Sequence, residues 1–221
     1  MTKSILITGH TGNLGSICVE YFKSKEWNVT GISRSNGYDL TDYTYNHPLF
    51  DNDNHYDLVF MCHGIVESAL IRQINYVIWD QIIETNLKSI VELTGELIKR
   101  DRLNDNALIV YCSSIQATHP REGRFLYGLS KLGLELLAKS VHIEHSPKIR
   151  SIALRLGQME KLMANRTFTD EERLAIEQFT PLPWVNCLDV AKLVECLYEQ
   201  RSLSGTTINV DSGHSLSVWP K

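Results

Sequence analysis

Short, continuously apolar runs alternate along the chain with longer stretches of helical periodicity. "SILIT" (4–8), "NVTGIS" (28–33), "DLVFMC" (57–62), "ALIVYCS" (107–113), "RSIALRL" (150–156) and "TTINV" (206–210) read as strands. They lack the in-out alternation of a strand with one wet face, so both faces must be covered. Between them the periodicity predicts helices over 14–25, about 79–99, about 125–143 and from Val190 onward. Apolar strands separated by helices define a parallel sheet with helices on both faces, a doubly wound α/β fold. No repeat, low-complexity tract or linker divides residues 1–221, so a single domain is expected. The long strand-free stretch 158–187 is a candidate substrate loop or lid, because ligands in open α/β sheets bind at the carboxyl ends of the strands.

Composition narrows the function classes. A hydrophobic fraction of 43% with 22% charged residues is that of an ordinary globular protein. A net charge of -4 and a pI near 6.1 leave no basic stripe, so no nucleic-acid partner is expected. No run long enough to cross a membrane occurs, and "MTKSILITGH" enters its strand without a leader pattern; a cytoplasmic protein is expected. Cys18, Cys62, Cys112, Cys187 and Cys196 form no C-x-x-C pair and read as reduced core thiols, with no metal site.

The candidate chemistry starts at the first strand–helix junction. "TGHTGNLG" spaces Gly9, Gly12 and Gly15 by three before a helix begins. Glycines there allow a tight turn and let backbone N–H groups approach a pyrophosphate at the positive end of the helix. Thr11, Asn13 and Leu14 belong to the same cofactor loop. After the second strand, "GISRSN" puts Ser33 where NAD sites commonly carry a carboxylate, and Arg34 follows. An arginine can pair with a 2′-phosphate, so NADP(H) is expected over NAD(H), with a merely solvated Arg34 as the alternative. Further on, "FLYGLSK" (125–131) sets Tyr127 and Lys131 four positions apart, on one face of a helix.

These elements, in this order, resemble the short-chain dehydrogenase/reductase family over nearly the whole chain. "YDLTD" is similar to the family's adenine-contacting segment, which implies that Asp39 and Leu40 flank the adenine. "ETNLKS" resembles the helix bearing the active-site asparagine, here Asn86. "YCSSIQA" resembles the strand end bearing the catalytic serine, and the spacing to Tyr127 selects Ser114 over Ser113. "CLDVAKLVECL" and "TTINVDSGHS" are similar to the family's closing helix, strand and loop. The resemblance implies a Rossmann-like NAD(P)-binding domain and a catalytic tetrad of Asn86, Ser114, Tyr127 and Lys131. It also implies cofactor contacts from Cys62, His63, Gly64 and Gly157, and from Tyr127 and Lys131 themselves. In such a site Tyr127 donates a proton to a carbonyl oxygen, Lys131 eases formation of the phenolate, Ser114 orients the oxygen, and Asn86 holds a water that links Lys131 to solvent.

Some positions depart from the family pattern. The glycine spacing is that of the extended subclass, which includes sugar-nucleotide epimerases and dehydratases, while the chain length suits the shorter carbonyl reductases. "MCHG" (61–64) puts His63 where a small residue is usual, at an expected cost in cofactor affinity. Leu156-Gly157 replaces the usual Pro-Gly. His10, His63, His119 and His214 have no ligand spacing and read as loop or cofactor-wall residues. Arg121 and Arg124 read as solvated loop charges, the alternative being attraction of an acidic substrate. The expected function is an NADP(H)-dependent carbonyl reductase or secondary-alcohol dehydrogenase acting on a small ketone, aldehyde or alcohol, such as a 3-oxoacyl group or a keto-sugar. The alternatives are an epimerase or dehydratase using NAD(P) transiently, or a cofactor-binding sensor without turnover. A homodimer or homotetramer is expected, with "LGLELLAKSV" and the Asn86 helix forming the shared face.

Overall fold

The computed structural model describes residues 2–42, 48–159, 169–177 and 182–216. Six strands form one parallel sheet: β1 (Ser4–Thr8), β2 (Asn28–Ile32), β3 (Tyr56–Met61), β4 (Leu103–Ser114), β5 (Ile149–Leu156) and β6 (Thr206–Val210), in the order β2-β1-β3-β4-β5-β6. The chain moves from β1 outward to β2, then crosses back to lay β3 on the other side of β1. That reversal opens a crevice at the carboxyl ends of β1 and β3, the place where doubly wound sheets bind ligands.

Strict side-to-side alternation explains why the strand sequences are apolar throughout. Ile5, Ile7, Leu58, Phe60, Leu108, Val110, Ile152 and Leu154 face α1 (Asn13–Ser24) and α6 (Cys187–Glu199). Leu6, Val59, Met61, Ile109, Tyr111 and Ala153 face α3 (Ser89–Lys99) and α4 (Phe125–His145). Two cores share one sheet, and the central strands β1 and β3 are buried on both faces, while solvent reaches the edge strands and the start of β4.

Several boundaries differ from the periodicity, for local reasons. Helix α2 (Tyr76–Ile83) begins before the expected start, because the Asn75 side chain accepts the Ile78 N–H (3.0 Å) and fixes the first turn. Asn186 caps α6 in the same way through the Leu188 N–H (2.8 Å), so that helix starts at Cys187 rather than Val190. Cys18 and Cys187 are buried, but Cys196 lies exposed on α6, which corrects the expectation of core thiols throughout.

Part of the expected lid is visible. After β5, Gln158 accepts the Val185 N–H (2.9 Å), Met159 bridges to Val185, and a short helix, α5, spans Asp170–Glu177. Residues 160–168 and 178–181 of that stretch lie outside the described residues. Among the described residues no helix is long and apolar enough to cross a membrane.

Candidate active site

The glycine turn closes the crevice at β1. Gly9 has φ 65°, a conformation that disfavours side chains; its N–H donates to Ile32 O (2.8 Å) and its carbonyl accepts from Gly12 N (2.9 Å). A Cβ on Gly15 would stand 2.3 Å from the Gly9 oxygen, so α1 can press onto the turn only without one. Thr11 and Gly12 are exposed, and no side chain caps Gly12 at the start of α1. An open backbone turn at the positive end of a helix fits a pyrophosphate. Asn13 and Leu14 form the first turn of α1, where Leu14 packs on the core.

Beside the turn, the hydroxyls of Thr11, Ser33 and Ser35 form a triangle with separations of 3.3, 2.8 and 3.1 Å. Asn36 braces it, accepting from Ser33 N (2.8 Å) and donating to Gly31 O (3.0 Å). Arg34 rides on this brace, exposed and without an ion-pair partner among the described residues. Asp39 accepts from the Thr41 N–H (3.0 Å) and hydroxyl (2.7 Å), and Leu40 packs against the α3/α4 core. The donors at this corner suit a phosphate, and no carboxylate occupies the strand end at Ser33.

Across the crevice, His63 turns inward. Its Nδ1 lies 2.7 Å from the Thr8 hydroxyl and its Nε2 2.9 Å from that of Ser89. The Ser89 hydroxyl donates to Thr85 O (2.8 Å), so it accepts from the ring; Thr8 Oγ1 accepts the Cys62 N–H (3.1 Å), so it donates to the ring. Both contacts are satisfied by one neutral tautomer with the proton on Nε2. Burial, reinforced by the Lys131 charge, pushes the His63 pKa down to about 3. Cys62 donates its thiol to Thr8 O (2.9 Å), and burial raises that thiol well above its ordinary range.

The four expected catalytic residues meet at this edge. Asn86 sits in a widened π-turn (Glu84–Lys88) joining α2 to α3, the helical irregularity most often found at functional sites. Its Oδ1 accepts Ile65 N–H (2.7 Å) and its Nδ2 donates to Ile65 O (2.8 Å), so the buried side chain pins the loop after β3 as a backbone strand would. Gly64 lies between Asn86 and Lys131: a Cβ there would stand 3.1 Å from Asn86 Oδ1 and 3.4 Å from Lys131 Nζ. Lys131 is buried, donates to Cys112 O (2.9 Å), and lies 5.6 Å from the centre of the Tyr127 ring. Burial lowers its pKa.

The two adjacent serines have different work. Ser113 is buried and donates to Glu135 Oε1 (2.8 Å), a carboxylate also held by Arg155 Nε (2.8 Å). Ser114 faces Tyr127, and a hydrogen bond between the two side chains works against the burial that raises the phenol pKa. The spacing argument thus selects the serine that the structure puts beside the phenol. Gly157 closes the edge at β5, where its N–H donates to Val210 O (3.0 Å) and a Cβ would stand 2.6 Å from Asp211 Cα.

Burial raises the Tyr127 pKa and the charge of Arg124 opposes it, while the Lys131 ammonium is engaged by the Cys112 carbonyl. One expectation changes: Arg121 and Arg124 are not simply solvated, since both are half-buried and Arg121 Nη2 donates to His214 Nε2 (3.0 Å). Thr8, Ser89, Ser130 and the Glu135–Arg155 pair escaped the sequence reading, since polar residues inside apolar runs carry no spacing signal of their own. Of the remaining histidines, His10 covers Gly31, where a Cβ would stand 2.6 Å from the ring, and His119 is exposed.

Together with the switch point of the sheet, this geometry defines a class, the nucleotide-dependent α/β oxidoreductases. A family profile described as enoyl-(acyl carrier protein) reductase matches residues 49–215, and the chain belongs to the short-chain dehydrogenase/reductase family. It is 28% identical over 160 residues to 3-oxoacyl-(acyl-carrier-protein) reductase FabG of Rickettsia bellii; the match covers 70% of this chain and spans 66% of the length of that relative. A solved small-chain dehydrogenase in complex with NADPH shares the fold at 18% identity and a TM-score of 0.84, over 98% of this chain and 100% of that one. A 4-hydroxyisoleucine dehydrogenase mutant complexed with NADH and succinate does so at 21% identity and a TM-score of 0.87, over 97% and 99% of the two chains. At such identities these two likenesses speak to the fold.

Proposed function

We propose that this protein is an NADP(H)-dependent carbonyl reductase, also able to run as a secondary-alcohol dehydrogenase. The observation that carries the reading is the convergence of Ser114, Tyr127, Lys131 and Asn86 at the sheet edge that also holds the open glycine turn. The glycine turn and the first turn of α1 would hold the pyrophosphate, and Arg34 with the Thr11, Ser33 and Ser35 hydroxyls the 2′-phosphate. Asp39 and Leu40 would flank the adenine, while Cys62, His63, Gly64 and Gly157 wall the crevice. When bound, the nicotinamide exchanges a hydride with the substrate carbon; the chain supplies orientation and the proton.

Ser114 would hydrogen-bond the substrate oxygen and Tyr127 would give it a proton as negative charge develops there. A phenol whose pKa is raised by burial holds its proton at neutral pH, which suits the reducing direction. Lys131 would bind the ribose and offer positive charge nearby. Because the Asn86 amide is committed to Ile65, any water of the proton relay would rest on the main chain of the π-turn. The 3-oxoacyl reductase named among the relatives makes a 3-oxoacyl group a reasonable substrate class. The exposed Leu132 (45%), Leu136 (65%) and Ile143 (79%) of α4 suit a homodimer or homotetramer.

A fluorescence titration with NADPH and NADH, followed by a carbonyl screen, tests the reading. Tyr127→Phe is expected to abolish turnover and leave NADPH affinity within about twofold, since one hydroxyl contributes little to cofactor binding. Wild-type turnover by that variant would remove Tyr127 as the acid. The glycine spacing of the extended subclass supports one rival, an epimerase or dehydratase; nucleotide copurifying with the protein, without consumption of added NADPH, would favour it.

A further inference from the structure

Resting on the NADP(H) reading, we propose that Asn36 is the positioning residue for cofactor choice: its amide holds Ser33, Arg34 and Ser35 in the shape that takes a 2′-phosphate, where an acid would turn that phosphate away. The loop from Ser33 to Tyr38 follows β2 directly and stands beside the glycine turn, since the Ser33 and Ser35 hydroxyls both reach that of Thr11 (3.3 and 3.1 Å). It therefore borders the same crevice that would receive the pyrophosphate.

One side chain organises the loop. Asn36 Oδ1 accepts the Ser33 N–H (2.8 Å) while Asn36 Nδ2 donates to Gly31 O (3.0 Å), so the amide grips the end of β2 with both its acceptor and its donor. Main-chain bonds close the rest: Asn36 N and Tyr38 N donate to Ser33 O (3.2 and 3.0 Å), and Gly37 N donates to Arg34 O (3.1 Å). Gly37 has φ 86°, the left-handed conformation that lets the chain turn away so soon. These bonds fix the main chain of Arg34, and the Ser35 hydroxyl lies 2.8 Å from that of Ser33. Arg34 is exposed, so its reach is set by the main chain that carries it. The corner thus collects hydroxyls, an amide and a guanidinium, while Asp39, the nearest acid along the chain, accepts from the Thr41 N–H and hydroxyl. An aspartate at position 36 would have the same shape and could keep the Ser33 bond. Its second oxygen would meet Gly31 O acceptor to acceptor, and its charge would stand against a phosphate dianion. A guanidinium and hydroxyls make charge-assisted bonds to a phosphate, whereas the 2′-hydroxyl of NAD(H) offers no charge for them to meet. The brace therefore serves one nucleotide more than the other, which separates it from a purely structural cap.

Paired fluorescence titrations of the full chain with NADPH and NADH test the assignment in wild type, Asn36→Asp and Asn36→Ala. Position 36 is exposed, so both variants are expected to fold, and urea unfolding checks it. Wild type is expected to bind NADPH at least roughly tenfold more tightly than NADH, the scale of one charge-assisted contact. Asn36→Asp should cut that preference by roughly tenfold or more, a deficit that shrinks at high salt because part of it is charge. Asn36→Ala loses the brace without adding charge and should cut the preference by roughly three- to tenfold. NADH affinity should stay within about twofold of wild type in both variants. A preference unchanged in both, or NADH weakened as much as NADPH, would overturn the role of Asn36. A preference kept in Asn36→Ala and lost only in Asn36→Asp would show that the introduced charge alone acts, and would overturn it too. The two readings fail differently: a wild type that binds both nucleotides equally removes the NADP(H) reading and this role with it, whereas a wild-type preference that survives in Asn36→Ala counts against Asn36 alone.

Discussion

His63→Ala separates two views of the same residue. By family pattern His63 intrudes on the cofactor wall, so trimming it should improve NADPH binding. By structure it ties β1 to α3 through Thr8 and Ser89, so trimming it should cost stability. Two neutral hydrogen bonds are lost, each contributing about 0.5–1.5 kcal/mol, so the variant should be about 1–3 kcal/mol less stable near neutral pH, with a cavity term in addition. The pH dependence is the sharper signature. The folded pKa of His63 is depressed to about 3 from an ordinary 6.5. The unfolded chain therefore binds a proton below about pH 6.5 that the folded protein refuses, and stability is full above that pH and falls as pH drops toward 3. At pH 5 the loss is on the order of 2 kcal/mol, taking about 1.4 kcal/mol per unit over the interval from 6.5. The variant lacks this term. Its deficit relative to wild type should thus shrink by about 2 kcal/mol between about pH 7.5 and pH 5. Urea unfolding followed by the fluorescence of buried Trp27 and Trp184 measures both deficits. A deficit equal at the two pH values would refute the buried neutral imidazole, and a gain in NADPH affinity would restore the view drawn from the family pattern.

Other substitutions probe separate parts of the site. Arg34→Ala should weaken NADPH by roughly ten- to hundredfold and leave NADH nearly unchanged, as expected for loss of a charge-assisted phosphate contact; equal effects in paired titrations would sink the phosphate assignment. The two serines should part company: Ser113→Ala is expected to cost about 1.5–3 kcal/mol of stability through its lost bond to Glu135. Ser114→Ala should instead lower kcat by roughly a hundredfold with little change in unfolding midpoint, and reversed effects in the two assays would reassign the pair. Gly15→Ala must displace the Gly9 carbonyl, which a Cβ would approach to 2.3 Å; NADPH affinity should fall by at least roughly tenfold, the cost of misplacing one or two backbone donors.

What was legible in the sequence follows from where the signals come from. The strands announced themselves because both faces of a central parallel strand are buried, leaving runs such as Leu58 to Met61 unbroken by polar residues. Tyr127 and Lys131 were legible because helical spacing converts sequence distance directly into proximity. The orientation of His63 was not, since whether an imidazole at a strand end faces the crevice or the core depends on a hydroxyl arriving from α3, 26 residues away. Arg121 escaped for the same reason: its partner His214 lies 93 residues along the chain, and nothing local distinguishes it from a solvated loop charge. The π-turn at Asn86 was visible only as helical periodicity across the break, because one extra residue shifts the register without changing composition.

The local electrostatics run against the sign of the whole protein, and that contrast bears on the direction of catalysis. The chain carries a net charge of -4, yet Lys131, Arg121 and Arg124 gather at one edge of the sheet, and burial lowers the pKa of the first two. Glu135, the buried acid behind Ser113, is matched by Arg155. In the ground state the raised pKa of Tyr127 keeps the phenol protonated, so no phenolate faces Lys131 before a carbonyl begins to collect negative charge. The field is then fixed in place before reaction and acts only on the charge that develops, the arrangement that lowers a barrier without first stabilising the ground state. For alcohol oxidation the same burial opposes the phenolate that must form first. In the proposed reading, raising the pH should therefore speed oxidation far more than reduction, and matched pH profiles of the two directions with one alcohol–ketone pair should diverge above neutrality. Parallel profiles would mean that the proton does not pass through Tyr127.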